Sequence, residues 1–212
     1  MLTFRVLSVL LRYPTPELKV ALTEAERIVR AEGLLEMRHL EGVCGFLRYL
    51  RDTPQFEAES AYIDAFDRGR ATSLYLFEHI HGESRERGQS MVKLLLRYRA
   101  HGLDPSTREL PDYLPLFLEF LSTRPAAEAA KHLAEVADIV GLLAARLRRR
   151  DAPQAPLLEA VAYLAADGAP AASNPEADGE GRDDTPAALD AAWEEAPVVF
   201  NDAHGLPGAT TR

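Results

Sequence analysis

From its start to about residue 166 the chain places apolar residues three and four apart, and nowhere in that span does an apolar–polar alternation run between hairpin turns. Helical backbone hydrogen bonds are local, so such a chain buries its apolar stripes by packing helix on helix. The pattern therefore predicts an all-α fold. With 212 residues there is material for one sizeable core, and one folded domain is the default.

Caps and breakers set the expected helix boundaries. Residues 2–12 read as a core-facing helix. Thr15, Pro16 and Glu17 combine a cap residue, a preset φ and an acid near the positive dipole end, and the helix they start should run to Gly33. Further helices are expected from Leu35 to Arg51, stopping before Pro54, and through Phe56, Tyr62, Ile63 and Phe66 to the DRGR break. A short helix SLYLFEHI, capped by Thr72 or Ser73 and ending at Gly82, should precede a long amphipathic one stopped by Gly102, with Met91, Leu94, Leu95 and Tyr98 on one face. Asp112 is a natural cap for the apolar helix YLPLFLEFL. After Pro125 a stripe of Leu133, Val136, Ala137, Val140, Leu143 and Leu147 runs to Arg148–Arg150, and a last helix covers about 155–166.

Beyond Gly168 the composition turns to Ala, Pro, Gly and acids, which bury too little apolar area to offset ordering entropy. The expectation is a helical domain over 1–167 and a disordered acidic tail over 168–212, with one apolar element around 193–200 that contains Trp193 and Phe200.

Composition narrows the function classes. A net charge of −9 opposes a phosphate-gripping surface, so nucleic acid is not an expected partner, and the basic run Arg146–Arg150 reads as a solvated helix end that complements the dipole. Cys44 is the lone cysteine, which excludes an intrachain disulfide or a thiolate cluster and suits a reducing, cytoplasmic setting. No segment approaches the length of a membrane span, and no glycine-rich phosphate cradle or nucleophile elbow is present. No catalytic residue and no bound metal or cofactor is expected.

Two polar clusters stand out. In EHIHGESRERG, His79 and His81 lie two apart and face different directions on a helix; the simplest reading packs His79 on a neighbour and lets His81 cap a terminus. Glu83, Arg85, Glu86 and Arg87 follow, with glycines on either side where a carboxylate or backbone can approach. In ELPDY, Glu109, Asp112 and Tyr113 precede an aromatic helix.

Taken together, YIDAFDRGRATSLYLFEHIHGESRERGQSMVKLLLRYRAHGL and ELPDYLPLFLEFLS over about residues 60–122, with YPTPEL before and DAAWEEAPVVF after, resemble the signature core of the nitrate reductase delta-subunit (NarJ-type) family. The resemblance implies a helical bundle of the redox-enzyme maturation chaperone type. It implies a non-catalytic cytoplasmic assembly chaperone that binds the apo catalytic alpha subunit of respiratory nitrate reductase, including its N-terminal segment. Such a chaperone promotes insertion of the molybdenum bis(guanine dinucleotide) cofactor before membrane attachment, holding no cofactor stably itself. The landmarks carried over by position are His79, His81, Gly82, Arg85, Arg87, Gly88, Glu109, Pro111 and Asp112.

The expected client-binding residues are Glu78, His79, His81, Arg85, Arg87, Glu109, Asp112 and Tyr113. Glu78, Glu109 and Asp112 would form an acidic rim, Arg85 and Arg87 would act as fork donors, and Phe66, Leu74, Phe77, Met91, Phe117 and Phe120 would supply floor and core. A chaperone of a different molybdoenzyme, or a helical metal-binding enzyme using His79 and His81, are the alternatives.

Overall fold

A computed structural model describes residues 1–81, 85–105, 109–168 and 183–193. The described residues are all-α: α1 (Leu2–Leu10), α2 (Pro16–Glu32), α3 (Met37–Asp52), α4 (Gln55–Phe66), α5 (Glu78–His81), α6 (Arg85–Ala100), α7 (Leu114–Ser122), α8 (Ala126–Ala134), α9 (Ala137–Arg149), α10 (Ala155–Ala165) and α11 (Pro186–Trp193). None of these helices is long and apolar enough to cross a membrane.

The packing follows from which helices are apolar all round. α7 buries Leu114, Pro115, Leu116, Phe117, Leu118, Phe120 and Leu121, so it must be enclosed, and α1 lies along it. α10 is nearly as apolar and is flanked by α9 and α3. α2 bridges α1 and α3. The polar seams are tied by side chains. Ser8 Oγ donates to the Pro115 carbonyl at 2.6 Å, tying α1 to the first turn of α7, and the Glu32 carboxylate accepts from the N–H groups of Leu2 and Thr3 at 2.9 and 2.6 Å, serving as the missing cap of α1.

Most predicted boundaries hold. Gly33 closes α2 at φ 66° and Gly102 follows α6 at φ 78°, left-handed positions that suit glycine. Three expectations are corrected. The segment SLYLF is not helical: helix begins only at Glu78, and Tyr75 forms an antiparallel bridge with Tyr113. Asp112 does not cap α7, whose cap position is Tyr113 without a side-chain bond. The stripe after Pro125 is two helices, because Glu135 and Val136 turn the chain (Val136 φ −120°, ψ 11°). The turn lets α8 lie against α7 and α10 while α9 packs along α10. The tail element of 193–200 lies outside the described residues except for the backbone of Trp193.

α6 is attached by a narrow stripe. Its buried residues are Leu94 and Tyr98, while Val92 and Leu96 are exposed. Tyr98 is fully buried against Phe120, ring centroids 4.9 Å apart, and its hydroxyl donates to the Pro111 carbonyl at 2.8 Å. Tyr98→Phe keeps the ring and removes that bond, so we expect a loss of about 1–2 kcal/mol in urea denaturation. Hydrogen exchange should rise first in α6. An unchanged midpoint would show that the hydroxyl does not anchor this helix.

Candidate functional site

The site is built where residues 74–77 run beside 112–114. Leu114 N–H donates to the Leu74 carbonyl at 2.8 Å and Leu76 N–H to the Asp112 carbonyl at 3.0 Å, giving an extended patch at the entrance to α7. Extended geometry alternates side chains. Leu74 and Leu76 are accordingly buried, and Tyr75 and Phe77 are half-buried.

Asp112 holds this patch together. Its side chain is fully buried, and Oδ2 accepts the Phe77 N–H at 3.1 Å. Arg87, from the first turn of α6, places Nη2 3.3 Å from Glu78 Oε1 and 3.9 Å from Asp112 Oδ2. One carboxylate thus joins three segments: the 74–77 run, the start of α7 and the start of α6. Burial pushes the Asp112 carboxyl above the ordinary carboxylate range, outweighing the opposing pull of the Phe77 N–H and of Arg87. Asp112 is therefore an anchor beneath the surface, which corrects its expected place in an exposed acidic rim.

The other predicted residues fall around this anchor. Arg87 meets it directly, and Glu78 is linked to it through Arg87. Exposed Glu109 accepts from the Tyr75 hydroxyl at 3.3 Å, and the Tyr75 ring lies 5.3 Å from that of Tyr113. The Tyr113 and Tyr62 hydroxyls are 3.2 Å apart, and Tyr62 also donates to the Leu11 carbonyl at 3.3 Å, so the tyrosine pair ties the patch to α1 and α4. Burial raises the Tyr75 phenol to about 12, with Glu109 adding to it, so it remains a hydrogen-bond donor at neutral pH. His79 turns inward, its Nε2 2.8 Å from the Ser73 carbonyl, which assigns the proton to that nitrogen. Arg85 is exposed at the start of α6. The side chain of His81, together with Gly82, Glu83 and Ser84, lies outside the described residues. No group of three or more His, Cys, Asp or Glu side chains is placed to hold a metal ion among the described residues.

Sequence reasoning missed the groove beside this anchor. A cavity of about 180 Å³ opens between α6, α7 and the turn from α8 to α9, with Leu76, Phe77, Leu94, Phe117 and Val136 as its apolar lining and Ser90, Lys93, Arg97 and Glu135 among its polar residues. Arg97 Nη1 bridges to Glu135 Oε2 at 3.0 Å across one end. The signal was present in α6, where Lys93 and Arg97 are four apart beside Leu94, but its partner Glu135 comes from a turn that periodicity did not reveal. Of the expected floor residues Phe77 and Phe117 line this groove, whereas Phe66, Leu74 and Phe120 are buried in the core.

Known proteins match the chain along most of its length. A family model described as nitrate reductase delta subunit matches residues 36–160. The nitrate reductase molybdenum cofactor assembly chaperone NarJ of Escherichia coli (strain K12) is 45% identical over 202 residues, covering 94% of this chain and 85% of that protein. The probable chaperone NarW of the same strain is 41% identical over 92% of this chain and 82% of its own length, and the probable NarJ of Bacillus subtilis (strain 168) is 32% identical over 74% and 84%.

The raised carboxyl gives a signed pH prediction. The folded protein holds the Asp112 proton to higher pH than the unfolded chain, so this group's stabilising contribution is full below the unfolded value and is lost as pH rises through the folded one. The destabilisation caused by Asp112→Asn should therefore be larger at about pH 4 than at about pH 7 when urea midpoints are compared with wild type. A difference that is constant, or grows with pH, would contradict the burial argument.

Proposed function

The chain belongs to the nitrate reductase delta subunit family, and on that premise we propose that it is a system-specific assembly chaperone for respiratory nitrate reductase. It binds the apo catalytic alpha subunit, including its N-terminal segment, in the cytoplasm. It keeps that subunit open for insertion of the molybdenum bis(guanine dinucleotide) cofactor and delays membrane attachment until insertion is complete. The observation that carries this reading is the 45% identity to a named assembly chaperone across 94% of the chain.

The geometry supports capture of a polypeptide. An apolar groove with charged residues of both signs receives one face of an amphipathic helix, the apolar contacts supplying affinity and the charges orientation. A volume of about 180 Å³ takes one or two large side chains, which suits reversible holding. Glu78 and Glu109, beside the Tyr75–Tyr113 pair, favour a client segment bearing Lys or Arg, and Arg85 is placed to meet a client carboxylate or helix end. Arg87 and Asp112 act from within by fixing the wall that carries Phe77. No step calls for a reacting group, so the chain acts as a chaperone and not as an enzyme.

Two measurements test this. Cells lacking the chain should accumulate catalytic subunit without molybdenum cofactor, read as metal and guanine nucleotide content of the purified subunit; fully loaded, active reductase in such cells would refute the function. In calorimetry with a synthetic peptide of the client N-terminus, Glu109→Lys should weaken binding by about threefold to tenfold at low salt and less at high salt. Equal affinity would remove Glu109 from the site and leave the function standing.

A further inference from the structure

In the basic run at the end of α9, expected to be a solvated helix end, Arg148 and Arg149 are exposed, but Arg150 is covered by the chain's own tail. The Arg150 side chain is only 8% exposed. Its Nη2 donates to Asp183 Oδ1 at 2.5 Å, its Nη1 lies 3.6 Å from Asp184 Oδ2, and the same Nη1 donates to Thr72 Oγ1 at 2.9 Å. The second oxygen of Asp183 accepts the Ala71 N–H at 2.7 Å, and Arg146 Nη1 donates to the Ala71 carbonyl at 2.8 Å. Thr72 passes the connection on by donating to the Ala65 carbonyl of α4 at 2.5 Å.

The fit is specific in shape as well as charge. A Cβ on Gly69 would stand 2.6 Å from the Asp183 carboxylate, so only glycine leaves room for it. The tail then finishes its own structure: Pro186 opens α11, and Thr185 Oγ1 accepts the Ala188 N–H at 3.2 Å as a helix cap. Behind the contact lies a cleft of about 540 Å³, lined by Asp64, Arg68, Arg150, Asp151 and Asp184 among others.

We propose that Asp183–Asp184–Thr185–Pro186 is an intramolecular latch: an acidic segment seated in the arginine cleft between α4, α9 and residues 69–73, which sets the order of the run from 69 to 77. The loop's amide and hydroxyl at 71 and 72 are held by Asp183 and Arg150, and Ala71's carbonyl by Arg146. That loop leads directly into residues 74–77, which pair with 112–114 and of which Leu76 and Phe77 wall the groove. Release of the latch strips Arg150 of buried counter-charges and frees the loop, so the groove wall loosens with it.

The test is hydrogen exchange by mass spectrometry on the full chain. Two variants act on the contact from opposite sides: Asp183→Asn with Asp184→Asn removes the charges, and Gly69→Ala keeps them but blocks the seat. Each should speed exchange over residues 69–77 by about tenfold or more while leaving α1, α7 and α10 unchanged. Unchanged exchange over 69–77 in both variants overturns the latch, and so does an increase spread evenly over α1, α7 and α10. Light scattering should show a wild-type monomer. A dimer that dissociates on Asp183→Asn would place a second copy's tail in the cleft and overturn the intramolecular assignment.

Discussion

The buried carboxylate of Asp112 is the constraint on which the rest of the site depends. A charge taken out of water is tolerated only when donors or cations reach it, and here they come from elements distant in sequence: the Phe77 amide and the Arg87 guanidinium. Meeting both conditions forces residues 74–77 to run extended beside 112–114 and holds the first turn of α6 against them. The position of α7 follows, because Asp112 lies immediately before it and α7 is the helix most completely enclosed by the bundle. Site and core are thus one arrangement, joined where the Tyr113 hydroxyl meets that of Tyr62.

This explains what the sequence made legible. α2, α3, α4, α6 and α10 were readable because their starts and stops are local events: Pro16 and Gly33 around α2, Pro54 before α4, Gly102 after α6. SLYLF was misread as helix because its pairing partner is some 38 positions away and local periodicity carries no trace of it. Leu74 and Leu76 do alternate with Tyr75 and Phe77, but a run that short fits either period. Asp112 was misassigned for a related reason. An aspartate before an apolar helix is an ordinary cap, and only the three-dimensional partner shows that it faces the other way.

Of the expected site residues, the structure gathers Glu78, Arg87 and Asp112 into one cluster and Glu109 with Tyr113 around Tyr75. Among them, Arg87, Glu109 and Asp112 are positions that the family resemblance singles out without giving a reason. The structure supplies a physical reason: their contacts fix the shape of the wall formed by 74–77 and 112–114. His79 is the clearest case, since the nitrogen that suggested metal binding is engaged by the Ser73 carbonyl in the same wall.

The groove has walls of unequal stiffness. On one side stands α7, buried along its whole length; on the other stands α6, held by Leu94, Tyr98 and the Arg87 contact, with Val92 and Leu96 left exposed. A helix fixed by so narrow a stripe is the element that yields when a bulky segment enters, because few buried contacts must be given up to move it. The rigid wall preserves register and the yielding wall accommodates size, which suits the reversible capture proposed above. Arg97 and Glu135 then close one end of that groove without stiffening it, since an exposed ion pair contributes at most about 1 kcal/mol.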